Sequence, residues 1–134
     1  MSVLKTLLTL AHPNAEFLSS EINENSTEGS ILEMGLKLAQ EVNFMINSTF
    51  PMGDQLARIS FIGHSLGGLI IRAALPYLEK YKFKMHGFMT LCSPHLGYMY
   101  KSGNLVSAGM WFLKKWKKSP CLIQLSMQDN KDLE

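Results

Sequence analysis

The sequence predicts an α/β chain, a mostly parallel sheet flanked by helices, with residues 1–134 forming one domain. Three observations predict it. In residues 58–75, RISFIGHSLGGLIIRAAL, a β-branched and aromatic run passes through a serine between glycines into apolar residues at helical spacing. Extended and helical patterns alternate along the chain, as they do where parallel strands are joined through helices. A second turn, Ser93-Pro94-His95-Leu96-Gly97, directly follows another strand pattern. That places it at the carboxyl edge of the sheet, where open α/β folds bind ligands.

Residues 3–10 predict a helix, with Val3, Leu4, Leu7, Leu8 and Ala11 at helical intervals and Pro13 as its stop. Residues 15–19 (AEFLS) predict a short extended segment, and 21–29 a polar loop. Ser30-Ile31-Leu32-Glu33 is a capping-box signature and opens a helix over 31–48. Its apolar positions Ile31, Met34, Leu38, Val42, Met45 and Ile46 step by three and four, one face for packing on a sheet. Pro51 and Met52-Gly53-Asp54 turn the chain into a strand at 58–62. A right-handed crossover is expected between the segments at 15–19 and 58–62. A helix over 66–75 follows, interrupted by Pro76, and then a turn-rich tail over 77–82. Residues 85–92 (MHGFMTLC) predict a buried strand, 104–116 a helix, and 120–127 a further turn or two of helix.

Gly63-His64-Ser65-Leu66-Gly67 fits G-x-S-x-G, the nucleophile elbow, in which a strained strand-to-helix turn presents the serine hydroxyl. By chance the pattern would occur in roughly one chain in twenty of this length. The strand before it and the helix after it sharpen the assignment. The fold-back at Ser65 predicts that a Cβ at position 63 or 67 would collide with the opposite limb. The plainer alternative is a glycine-rich turn whose serine caps the helix.

Composition is that of a globular protein: 46% hydrophobic, 18% charged, net charge +2. No nucleic-acid partner is implied by that balance. Cys92 and Cys121 make neither a disulfide framework nor a metal-ligand spacing, so a reducing, cytoplasmic compartment is the expectation. Secretion is the lesser reading, because the leucine stretch in MSVLKTLLTLA is short and broken by Thr6 and Thr9. Two sequons, at Asn25 and Asn47, would matter only in a secreted protein.

RISFIGHSLGGLIIRAAL, TLCSPHLG and LVSAGMWFLKKWKKSPCLIQLSMQD together resemble the lipase-like "putative serine esterase" domain of eukaryotic α/β-hydrolases. The likeness extends upstream through EFLSSEINENST and covers nearly the whole chain. It implies Ser65 as nucleophile and the Leu66 amide as one oxyanion donor, acting on ester or lipid substrates without a cofactor or metal. His64, Ser93, His95 and Leu96 become candidates for the substrate cleft. In that family a strand ending in His-Gly precedes the helix matching residues 3–10, and the catalytic Asp and His follow on later strands. The sequence begins after the first and stops before the others. The expectation is therefore a partial α/β-hydrolase fold lacking the strand before Val3 and the later strands. It would be a fragment, a truncated gene product or a degenerate copy, inactive alone. Asp129 and Asp132 match a polar stretch ahead of the family's acid, and His95 matches a site-edge loop rather than the base loop. His64 is expected to pack and hydrogen-bond within the turn, and His12 and His86 to carry no chemistry.

Two functions from different classes stay open: a serine esterase or lipase-like hydrolase, and a non-catalytic α/β module binding a partner or lipid in the same cleft. A third idea concerns residues 111–118 (WFLKKWKK), which hold the two tryptophans Trp111 and Trp116 and the four lysines Lys114, Lys115, Lys117 and Lys118. Such a basic amphipathic stretch suits peripheral contact with an anionic membrane. A cap helix over the cleft, tryptophans inward, is the alternative.

Overall fold

The computed structural model describes residues 2–23, 29–51 and 55–96. Within them the elements run α1 (Ser2–Ala11), α2 (Ile31–Thr49), β1 (Ile59–His64), α3 (Leu66–Ala74), a 3-10 segment (Leu75–Lys84) and β2 (Met85–Leu91). The helices predicted over 104–116 and 120–127 lie outside the described residues. So does the basic stretch at 111–118.

β1 and β2 form a parallel pair, from Ile59 opposite Met85 to His64 opposite Leu91, with one register shift after Ile59. Parallel strands cannot be joined by a tight hairpin. Here α3 and the 3-10 segment make the connection, giving a strand–helix–strand unit and an α/β architecture. Pro76, in the first turn of the 3-10 segment, has no amide to donate, and the segment kinks at Leu78 (φ −112°, ψ 17°). The predicted turn-rich tail over 77–82 is thus tight helix, running from Leu75 to Lys84.

The core lies between α2 and α3. Leu38, Ala39, Val42 and Ile46 of α2 are buried with Ile71, Ala74, Leu78 and Leu56, and Phe61, Ile59 and Met85 pack against them from the strands. The apolar stripe read from the sequence is therefore the buried one, but its principal partner is α3 rather than the sheet. Gly35 explains the closeness. A Cβ there would stand 2.6 Å from the Ala73 Cβ and 2.8 Å from its carbonyl carbon, so only glycine allows this helix crossing.

The capping box forms as predicted. Ser30 Oγ accepts from the Glu33 amide at 3.2 Å, and Glu33 Oε2 accepts from the Ser30 amide at 3.0 Å. It fixes the start of α2, which seats the buried Met34 against Leu66. The first turn of α2 thus abuts the residue next to Ser65.

Three expectations change. Residues 15–19 join no strand: the Ser20 hydroxyl donates to a carboxylate oxygen of Glu41 and the Glu21 amide to the other, tethering the segment beside α2. Without that strand, the crossover expected between 15–19 and 58–62 is not formed. The strand predicted buried at 85–92 is largely exposed, with Phe88, Met89 and Leu91 open to solvent, because α3 lies chiefly over β1. α1 forms, but Val3, Leu7 and Leu10 are exposed, because α1 makes no extended packing contact with another described element.

Candidate active site

The strand-to-helix junction is one of two places among the described residues where a non-glycine residue has a positive φ. Ser65 lies between the last residue of β1 and the first of α3 with φ 52° and ψ −122°. For a residue carrying a Cβ this region is sparsely populated and costs about 1–3 kcal/mol. Neighbouring contacts hold it there. The Ser65 amide donates to the Leu91 carbonyl at 2.8 Å, and the Gly68 amide donates to the Ser65 carbonyl at 3.3 Å.

The two limbs also touch. A Cβ on Gly63 would come within 2.7 Å of the Gly68 nitrogen and 2.8 Å of its Cα. The steric reading of position 63 is right, but that of position 67 is not. A Cβ on Gly67 would meet nothing within 4 Å, and the second glycine required for space is Gly68. There a Cβ would collide with the Ser93 hydroxyl and stand 2.7 Å from the Ser93 Cβ.

Ser65 is half-buried and its hydroxyl makes no capping bond to the helix that follows, unlike the Ser30 hydroxyl at α2. The capping bond that the plainer alternative expects of Ser65 is therefore not made. The Leu66 amide opens α3, where the first N–H groups lack intrahelical acceptors and the helix end carries partial positive charge. No acidic side chain in the first turn offsets it.

β2 ends in the same manner. Cys92, just past the residue paired with His64, has φ 55°. The two parallel strands thus end side by side in left-handed residues, Ser65 and Cys92. Beyond Cys92, Ser93 packs on Gly68, and its buried hydroxyl has no hydrogen-bond partner among the described residues. His95 turns back over the strand, with Nε2 3.0 Å from Thr90 Oγ1 and Nδ1 3.3 Å from Arg72 Nη1. Its ring stands edge-on to Phe88, with centroids 6.2 Å apart.

Of the residues proposed for the site, Ser65, Leu66, Ser93 and His95 are gathered at one edge of the sheet. His64 is exposed at the end of β1 and Leu96 is 82% exposed. Among the described residues no histidine or carboxylate hydrogen-bonds the Ser65 hydroxyl. Nor do three metal-ligating side chains come together among them. No described helix is long and apolar enough to cross a membrane. His86 is engaged by Ser60 and Arg58, each at 3.4 Å, at the other end of the strands.

Sequence reasoning missed Gly68, Arg72 and Thr90. The first two were legible together: once a Gly-Gly pair opens a helix beside a turn, the residue four positions on faces the same way. Thr90 carried no signal.

The family described as "Putative serine esterase (DUF676)" matches residues 1–134. "Putative lipase YDL109C" of Saccharomyces cerevisiae is 34% identical over 108 residues, which is 74% of this chain and 16% of that protein. "Putative lipase ROG1" of the same yeast is 37% identical over 81 residues, 56% of this chain and 11% of that protein. The chain spans less than a fifth of the length of these curated relatives. No solved structure matches. Because the family match runs from the first residue to the last, the chain belongs to the family described as "Putative serine esterase (DUF676)".

Proposed function

We propose that Ser65 is the nucleophile of a serine hydrolase acting on ester or lipid substrates, and that the described elements are part of an α/β-hydrolase sheet. The observation that carries this reading is the left-handed backbone at Ser65 between β1 and α3, with a hydroxyl that the helix does not use as a cap. The names of the two yeast relatives, each beginning "Putative lipase", support the substrate class.

In this reading the Ser65 Oγ attacks the ester carbonyl carbon and its proton passes to a base. Charge builds on the carbonyl oxygen, which the Leu66 amide at the positive end of α3 stabilises. The tetrahedral intermediate collapses by expelling the alcohol, which takes the proton back from the base. Water then releases the acyl group by the same steps. Among the described residues His95 is not placed as that base, because both its ring nitrogens are engaged elsewhere.

A fluorophosphonate probe applied to the full-length protein should label the wild type and leave Ser65→Ala unlabelled. A folded wild type that takes no label removes the proposal. The engagement of His95 favours one second reading, a non-catalytic module that binds lipid or a partner at the same edge. Steady hydrolysis of p-nitrophenyl butyrate that disappears in Ser65→Ala would exclude it.

A further inference from the structure

Two histidines in the described residues are gripped by an arginine, and one of them stands beside the elbow. An arginine guanidinium can only donate hydrogen bonds. Arg72 Nη1 lies 3.3 Å from His95 Nδ1 and 3.4 Å from the His95 carbonyl oxygen. The nitrogen facing it must therefore be the bare acceptor. The ring proton is left on Nε2, which then donates to Thr90 Oγ1 at 3.0 Å. Among the described residues Arg72 forms no ion pair with a carboxylate, so its grip on His95 is not shared with an acid.

The contacts form a closed path. Arg72 stands one helical turn beyond Gly68 on α3, Gly68 carries Ser93, and Ser93 begins the turn that ends in His95. The His95 amide also donates to the Ser93 carbonyl at 3.0 Å. Arg72 and Thr90 thus fasten the far end of a turn whose near end rests on the first turn of α3, immediately after Ser65. The turn forms one wall of the carboxyl edge.

We propose that His95 is a positioning residue, held as its Nε2–H tautomer between Thr90 and Arg72, that fixes the Ser93–Leu96 wall beside the nucleophile. The functional part rests on Ser65 being that nucleophile; the tautomer does not. The role differs from that of a general base, which would need a bare Nε2 or Nδ1 free to take a proton.

The test uses the full-length protein labelled with 15N-histidine, the His95 signals being assigned by their loss in His95→Asn. The wild type should show a protonated Nε2 and a bare Nδ1, and Arg72→Met should convert this into a tautomer mixture while the other histidine signals stay in place. A protonated Nδ1, or a pattern indifferent to Arg72→Met, overturns the proposal. With p-nitrophenyl butyrate, His95→Leu and Arg72→Met should raise KM about tenfold and lower kcat less than about threefold. His95→Asn, whose amide oxygen can still accept from Arg72, should recover most of the loss. A collapse of kcat in His95→Asn as deep as that in Ser65→Ala would make His95 the base and overturn the positioning role. If the wild type neither turns over nor takes the fluorophosphonate, the Ser65 reading falls and the wall has no catalytic role. The 15N pattern then still decides the tautomer.

Discussion

At Ser65 the fold accepts strain of a kind that has a measurable relief. A glycine at φ 52° and ψ −122° carries no Cβ to clash, which should recover about 1–3 kcal/mol. Its greater freedom in the unfolded chain takes back about 0.4–1 kcal/mol. In the full-length protein Ser65→Gly is therefore expected to melt a few degrees above both wild type and Ser65→Ala while losing all fluorophosphonate labelling. A melting temperature no higher than that of Ser65→Ala would mean the bend is not strained. The neighbouring glycines separate in the same way. Gly68→Ala pushes a methyl into Ser93 and should cost about 1–3 kcal/mol, whereas Gly67→Ala enters open space in a helix and should be neutral or stabilising by up to about 1 kcal/mol. Denaturant midpoints of the two variants check the ordering, and equal midpoints would contradict it. The motif pattern pointed to position 67 because it counts residues along the chain. Which limb touches which depends on how β2 delivers Ser93, and that is not encoded locally.

Among the elements, α2 shows the shortest route from sequence to site. Its capping box closes two backbone bonds at Ser30 and Glu33, and one residue further Met34 presses on Leu66. Ser30→Ala should cost about 1 kcal/mol and speed hydrogen exchange at the Glu33 amide, which loses its acceptor. Because serine and glutamate act as one unit, adding Glu33→Ala to Ser30→Ala should cost less than the two separate losses summed. Additive losses would show that the two bonds act independently. The cap and the buried stripe of this element were legible because both are local signals, whereas its partner, α3 rather than the sheet, was not. The junction from β1 into α3 was legible in the same local way. Residues 15–19 were not legible. Five residues of extended pattern become a strand only when another strand offers its ladder, and here Glu41 captures the following residues instead. β2 was legible as a strand but not in its burial, because an apolar run records what could be covered and not what covers it. In the candidate site Ser65 was visible as a motif, while the Arg72–His95–Thr90 clasp joins residues that only the folded crossover brings together.

For the whole molecule the balance of buried and exposed apolar groups decides behaviour. Among the described residues ten apolar side chains are buried, and fourteen large ones are exposed, including Phe83 at 99%, Leu10 at 76% and Phe44 at 75%. Phe88, Met89 and Leu91 line one strand of a two-stranded sheet, and Val3, Leu7 and Leu10 line one side of α1. A single parallel pair with open apolar residues invites pairing with another chain. At roughly 25 cal/mol per Å², covering one such phenylalanine stabilises by about 1.5–3 kcal/mol, so covering several of these side chains together reaches the roughly 8 kcal/mol that micromolar association requires. The 134 residues expressed by themselves are therefore expected to self-associate at micromolar concentration, bind a hydrophobic dye and melt without a sharp transition. Changing Phe88 and Met89 together to lysine should reduce the association, because charge on an exposed strand opposes edge-to-edge contact. Analytical ultracentrifugation with thermal melting decides it. A monomer that unfolds cooperatively and gives a dispersed amide spectrum would show that the core between α2 and α3 holds this strand–helix–strand unit together without further cover.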